Sequence, residues 1–170
     1  MTRYVTVVLY VFMSAFGAWA QTSPQQHQHS GAPVNVIDGA VHPELVPDSV
    51  AYRLYLVTVS TSQAPSEAEQ RRQHAQLMKT GLDDIDRQVL VSVLSDFRAK
   101  YDALIADYND YAQAALAHNE ATDVRILLNK LDALVQLTRD TISVRLTSEG
   151  AAQLHSFVLS EKKNMKVTED

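Results

Sequence analysis

The sequence contains no cysteine, and this absence excludes several kinds of site. Disulfide bonds, cysteine nucleophiles, iron–sulfur clusters, covalent c-type haem and thiolate zinc sites all require this residue. Lipid attachment at a signal-peptide cysteine is excluded for the same reason. A domain formed by this chain must therefore be stabilised by its apolar core, which a chain of 170 residues is long enough to provide.

Glycine and proline are scarce, with five of each, and the net charge is −5. Phosphate-binding glycine loops and the Gly-x-Ser-x-Gly nucleophile motif are absent, as are the Glu-x-x-His and His-Glu-x-x-His metal motifs. No basic stripe with interleaved aromatic residues is present, so we expect no nucleic-acid partner. We also expect no cofactor, and the sequence favours a non-catalytic protein over an enzyme.

The first 20 residues, MTRYVTVVLYVFMSAFGAWA, have the pattern of a secretory signal peptide. Arg3 precedes an apolar run, and Ala18 and Ala20 form a small-x-small cleavage pattern before Gln21. An uncleaved anchor is the alternative. No second run approaches the roughly 20 apolar residues of a spanning helix, so we expect no membrane span after cleavage. The chain is predicted to be exported, periplasmic or secreted, and the lack of cysteine favours a bacterial cell envelope.

Residues 21–43 are predicted to be a disordered or extended leader, because they are rich in Gln, His, Ser and Pro. Within this leader, His27 and His29 are the candidate metal ligands, for copper or nickel. The simpler interpretation is a polar leader that contains two histidines by composition. An apolar run at residues 34–37 either adds one extended segment or tucks against the core. At the other end, residues 167–170 are predicted to be a polar tail.

Between residues 44 and 166 the apolar spacing predicts one all-α domain, a bundle of about five helices. Residues 50–59 are ambiguous, since their β-branched and aromatic content suits a strand while their Pro-Asp-Ser start suits a buried helix, which we favour. Ser66 and Glu69 have the spacing of a capping box at the start of the next helix. Gly81 is the predicted end of this helix, and the aspartates at positions 83, 84 and 86 predict the first turn of the next one.

The two longest predicted helices lie on either side of a change in apolar phase. One apolar stripe runs from Ile85 to Ala115 and a second from Val124 to Ile142. If each residue advances about 100° around one continuous helix, the two stripes face nearly opposite directions. The change predicts a turn at residues 118–122, capped by Asn119 or Thr122, and therefore a long antiparallel helical hairpin. One continuous helix with partners on both sides is the alternative.

Residues 146–150, LTSEG, are predicted to end one helix and cap the last one. They are similar to the LTxxQ element of small periplasmic helical chaperones and stress adaptors, whose first two residues they share. Gly150 stands where that element has glutamine, and the element occurs once. The resemblance is to this class of proteins, and the predicted export, the lack of cysteine and the all-helical fold are similar as well.

Three functions follow from these patterns. We favour an adaptor or chaperone-like protein that acts through protein or envelope contacts, with a protein partner or self-association through amphipathic helices. The second is a metal-handling protein that uses the leader. The third is an enzyme whose site is assembled from residues distant in sequence, such as Asp107, Asp110 and His118.

Overall fold

The computed structural model describes residues 35–169, which form five helices and one two-stranded sheet. The helices are α1 (Asp48–Val59), α2 (Glu67–Lys79), α3 (Asp84–Ala117), α4 (Val124–Arg145) and α5 (Ser148–Ser160). Strands β1 (Asn35–Asp38) and β2 (Lys166–Glu169) pair antiparallel, and 3-10 turns occupy Pro43–Leu45 and Glu161–Asn164. The predicted helical bundle is confirmed. The predicted signal peptide lies outside the described residues, as do His27 and His29.

Helix α1 is the central element of the bundle. It contacts all four other helices, and seven of its 12 residues are buried: Val50, Ala51, Tyr52, Arg53, Tyr55, Leu56 and Val59. A helix that is apolar around most of its circumference is typical of a core position. This explains the β-branched and aromatic content of residues 50–59, where the favoured helix is confirmed.

The start of α2 has the predicted capping box. The Ser66 hydroxyl accepts a hydrogen bond from the Glu69 N–H at 3.3 Å, and the Glu69 carboxylate accepts from the Ser66 N–H at 3.0 Å. Two helix-end groups are thereby satisfied by local sequence. After α2 the chain turns at Gly81, whose φ of 74° lies in the left-handed region that favours glycine.

Helix α3 ends in a Schellman motif centred on Asn119. The Glu120 N–H donates to the Ala115 carbonyl at 2.8 Å, and the Asn119 N–H donates to the Leu116 carbonyl at 3.1 Å. Asn119 has a φ of 57°, and asparagine is one of the few residues that enter this region readily. The turn predicted at residues 118–122 is confirmed, and it needs neither glycine nor proline.

Asp123 is the N-cap of α4 and directly follows Thr122, the predicted alternative cap. Its carboxylate accepts from the Arg125 N–H at 3.0 Å. Six residues separate the end of α3 at Ala117 from the start of α4 at Val124, so the two are not one continuous helix. They pack together as the predicted hairpin.

The core lies between α1 and the proximal part of the hairpin, residues 90–97 of α3 and 134–142 of α4, and α5 packs against one side of it. Its fully buried large side chains include Leu56, Leu90, Leu94, Val135 and Leu154. The apolar stripe predicted on α3 is wrong at its first position, because Ile85 is 72% exposed and the neighbouring Asp86 is buried instead.

The polar composition of residues 167–170 predicts a tail, but Lys166–Glu169 form β2 and pair with β1 from the end of the leader. Val167 is buried in a small second core with Ile37, Val46 and Val50. Four residues are too few to show the alternation of apolar and polar side chains that predicts a strand. The partner strand is also distant in the sequence. Among residues 35–169, no helix combines the length and apolarity needed to cross a bilayer.

Candidate functional site

The distal hairpin, defined as residues 101–130, reaches beyond the bundle. At 1.5 Å per residue the 34 residues of α3 span about 51 Å, whereas the 12 residues of α1 span about 18 Å. Within residues 101–130 only Ala115 is buried. The core helices therefore cover the proximal half of the hairpin and leave the distal half uncovered.

Four large apolar side chains of the distal hairpin are 42 to 78% exposed: Tyr111, Leu116, Val124 and Ile126. Single exposed apolar residues are ordinary on a protein surface, and these four are notable because they lie on one projecting element.

A cleft of about 180 Å³ lies between α3 and α4 in this region. It is lined by Leu104, Asp107, Tyr108, Tyr111, Ile126, Leu127 and Lys130. The rings of Tyr108 and Tyr111 lie 6.0 Å apart between centroids and are tilted by 49°. The walls are thus largely aromatic and aliphatic, with one carboxylate on α3 and one ammonium on α4.

The α3 side of the distal hairpin is strongly acidic. Residues 101–123 contain no lysine or arginine and five carboxylates, those of Asp102, Asp107, Asp110, Glu120 and Asp123. Two of the five are paired, Asp102 with Arg98 at 2.8 Å and Asp123 with Arg125 at 2.8 Å. Within residues 35–169 the other three make no ion pair. The cleft therefore lies beside three carboxylates without ion pairs in the described part of the chain, with the single ammonium of Lys130 in its lining.

The residues predicted for a dispersed catalytic site are only partly brought together. Asp107 lines the distal cleft, whereas Asp110 and His118 are exposed and do not line it. His118 is the C-cap of α3, where its backbone N–H donates to the Ala115 carbonyl at 3.1 Å. The structure thus gives Asp107 a concave setting without the two proposed partners.

A second cleft, of about 190 Å³, lies where α1, α4 and α5 meet. Its lining is Tyr52, Gln136, Arg139, Asp140, Ile142, Ser143, Ala151 and His155. The Tyr52 hydroxyl is hydrogen-bonded to Nδ1 of His155 at 3.0 Å, and Arg139 Cζ lies 4.4 Å from the centre of the Tyr52 ring. Sequence reasoning missed this group because its members come from three helices and no local spacing joins them.

A third cleft, of about 300 Å³, lies between α2 and α3, and three of its eight lining residues are glutamines. Arg87 contributes to it and is paired with Asp84 at 2.6 Å. Its Nε is buried without a hydrogen-bond partner in the part of the chain described here. The cleft is the largest of the three, but the charge of its arginine is already paired with the charge of its aspartate.

Metal binding receives no geometric support in the described part of the chain. Among residues 35–169, no three His, Asp or Glu side chains are grouped so that they could hold a metal ion. The candidate ligands His27 and His29 lie outside this range, so the metal-handling hypothesis stays a prediction.

Comparison of the chain with protein-family models, with curated proteins and with solved structures gave no match. The class is therefore defined by architecture alone: a five-helix bundle with a projecting acidic hairpin and a small polar cleft on its body.

Proposed function

We propose that this is a non-catalytic, exported adaptor or chaperone-like protein that binds partner proteins through the distal hairpin. The segment it binds is basic and apolar, such as one face of a cationic amphipathic helix. The single observation that carries this proposal is the cleft between Tyr111 and Ile126, which opens beside a 23-residue stretch with five carboxylates and no lysine or arginine.

The apolar contribution comes from side chains that the bundle leaves exposed. Burying one such side chain completely contributes about 1.5–3 kcal/mol before the cost of association is subtracted. Apolar anchors of a partner that pack against Tyr111 and Ile126 in the cleft would supply this part of the binding free energy. A helix lying in an apolar groove between two helices is an established mode of peptide recognition.

The charge of the hairpin selects the sign of the partner. Asp107, Asp110 and Glu120 make no ion pair within residues 35–169, so basic residues that flank apolar anchors would gain attraction without displacing an existing pair. Complementary charge mainly accelerates encounter and rejects partners of the wrong sign. Acidic segments with the same apolar residues are thus disfavoured.

Two labelled peptides test the proposal. Both carry the same apolar residues at helical spacing, one with lysines and the other with glutamates at the polar positions. Fluorescence anisotropy with the purified protein is expected to show saturable binding of the cationic peptide, at least about tenfold tighter than that of the anionic one. Binding is expected to weaken as salt is raised. Equal affinities for the two peptides would contradict the proposal.

Matched variants separate the apolar and electrostatic contributions. Ile126→Ser and the double variant Asp107→Asn, Asp110→Asn are each expected to weaken binding of the cationic peptide. The controls are Val144→Ser, at a position 83% exposed on the proximal part of α4, and Asp96→Asn on the proximal part of α3. If the controls weaken binding as much as the hairpin variants do, attraction is diffuse and the distal hairpin is not the site. If sedimentation shows a dimer that Ile126→Ser dissociates, the surface serves self-association instead.

A further inference from the structure

We infer that the cleft formed by α1, α4 and α5 is a binding site for a small oxyanion, a carboxylate or a phosphate group, held by Arg139 and His155. This site lies on the body of the bundle, and the inference is independent of the function proposed for the distal hairpin.

Arg139 supplies the fixed positive charge. Within residues 35–169 it makes no ion pair, and its guanidinium lies over the Tyr52 ring, where the cation–π attraction holds it in place. A positioned guanidinium offers a planar fork of N–H donors that matches two oxygens of a carboxylate or phosphate. An unpaired but positioned arginine in a concave site is suited to an incoming anion.

The carboxylates near this cleft are already engaged. Asp140 accepts a hydrogen bond from the Gln136 amide at 2.9 Å, and Asp48 is paired with Lys162 at 2.5 Å. The pKa of Asp48 is lowered, chiefly by its hydrogen bond from Lys162. Lys162 thus neutralises Asp48, and Asp140 accepts from Gln136, so within residues 35–169 neither carboxylate forms an ion pair with Arg139.

His155 is prepared as a second donor by its contact with Tyr52. Burial raises the pKa of the Tyr52 hydroxyl, which consequently keeps its proton at neutral pH. When that hydroxyl donates to Nδ1 of His155, the neutral ring carries its own proton on Nε2. A protonated ring also has a proton on Nε2. In both states the nitrogen that faces away from Tyr52 is a hydrogen-bond donor.

The size of the cleft limits the ligand. Its volume of about 190 Å³ lies below the range of roughly 300–1,000 Å³ that is usual for drug-sized ligands. Six of its eight lining residues have polar side chains, and only Ile142 and Ala151 are apolar. A single carboxylate or phosphate group, free or at the end of a larger molecule that extends into solvent, fits these features.

The test is a nuclear magnetic resonance titration of the full protein with phosphate and, separately, with acetate, both at constant ionic strength maintained with chloride. Saturable shifts of the His155 ring and of the Arg139 side-chain signals are expected. Saturation by phosphate alone assigns a phosphate site, by acetate alone a carboxylate site, and by both a general oxyanion site. Linear, non-saturating shifts with both anions would overturn the inference.

Variants make the result specific to the cleft. Arg139→Gln is expected to weaken binding at least tenfold, since hydrogen bonds to charged groups contribute about 1.5–3 kcal/mol. Arg139→Lys, which keeps the charge without the fork, is expected to show an intermediate loss. The control is Arg145→Gln, another partly exposed arginine on α4. Equal affinities of Arg139→Gln and Arg145→Gln would overturn the inference, and a preserved amide spectrum in each variant shows that the fold is intact.

Discussion

Asp86 in the first turn of α3 and Thr147 at the start of α5 are joined by two hydrogen bonds. The Thr147 N–H and hydroxyl donate to separate oxygens of the Asp86 carboxylate, at 2.9 and 2.5 Å. The same hydroxyl accepts from the Gly150 N–H at 3.0 Å. A buried carboxylate is thereby satisfied, and the base of the long hairpin is fixed to the last helix.

Replacing Thr147 with valine preserves the shape of the side chain and removes its hydroxyl. The Asp86 carboxylate would lose one donor while staying buried, and the Gly150 N–H would lose its capping acceptor. We therefore expect the free energy of unfolding to fall by about 1–3 kcal/mol. Urea denaturation measures the change. Thr141→Val is the matched control, because the exposed Thr141 hydroxyl only donates to a carbonyl of its own helix. Equal losses in the two variants would show that the contact with Asp86 is unimportant.

Gly150→Ala tests the close approach of α5 to Asp86. A Cβ at Gly150 would lie 1.9 Å from Oδ2 of Asp86, too close for both atoms to keep their positions. Alanine normally stabilises a helical position by up to about 1 kcal/mol relative to glycine, yet here we expect the melting temperature to fall. Ser156→Ala, at an exposed position of α5, is the control and should leave it nearly unchanged. A rise in melting temperature for Gly150→Ala would contradict the conclusion that position 150 requires glycine.

Asn119 determines where the hairpin turns. Its φ of 57° is costly for a β-branched side chain and free for glycine. Asn119→Val is expected to reduce the free energy of unfolding by about 1–2 kcal/mol, whereas Asn119→Gly should leave it nearly unchanged or slightly raised. Thermal unfolding of the two variants side by side measures the difference. If valine and glycine behave alike, the left-handed residue does not control the turn.

The ion pair between Asp48 and Lys162 makes stability depend on pH. Lys162 holds the pKa of Asp48 below its ordinary value of 3.8, so the carboxylate stabilises the fold fully above that pH. The contribution is lost as the pH falls from about 4 through the lower folded pKa. Lys162→Met is expected to give a shallower decline of the unfolding free energy across this window than the parent protein, whereas Lys163→Met at the exposed neighbouring position should keep the parent slope. Parallel declines for both variants would contradict the assignment.

Features carried by neighbouring residues could be predicted from the sequence. The capping box of Ser66 and Glu69 is a spacing of three, and the turn at Asn119 follows from a phase change along one segment. The acidity of residues 101–123 is equally visible in the sequence, although its exposure is not, since burial depends on which helices are long enough to cover it.

Contacts between distant segments could not be predicted in this way. Tyr52 and His155 are 103 residues apart, and Asp86 and Thr147 are 61 apart. Each pair meets only because several helices pack together. The apolar pattern of one helix does not specify which residues of another helix it contacts. The burial of Asp86 beside an exposed Ile85 has the same origin. Asp86 lies on the same face of α3 as the buried Leu90 and Val93, and Thr147 from a distant segment satisfies its carboxylate.

Hydrogen exchange of the full protein with and without the cationic peptide shows whether partners bind the distal hairpin. On binding, exchange is expected to slow within residues 101–130 and to stay unchanged in α1 and α5. Protection confined to the body of the bundle, or no protection at a saturating peptide concentration, would contradict binding at the hairpin.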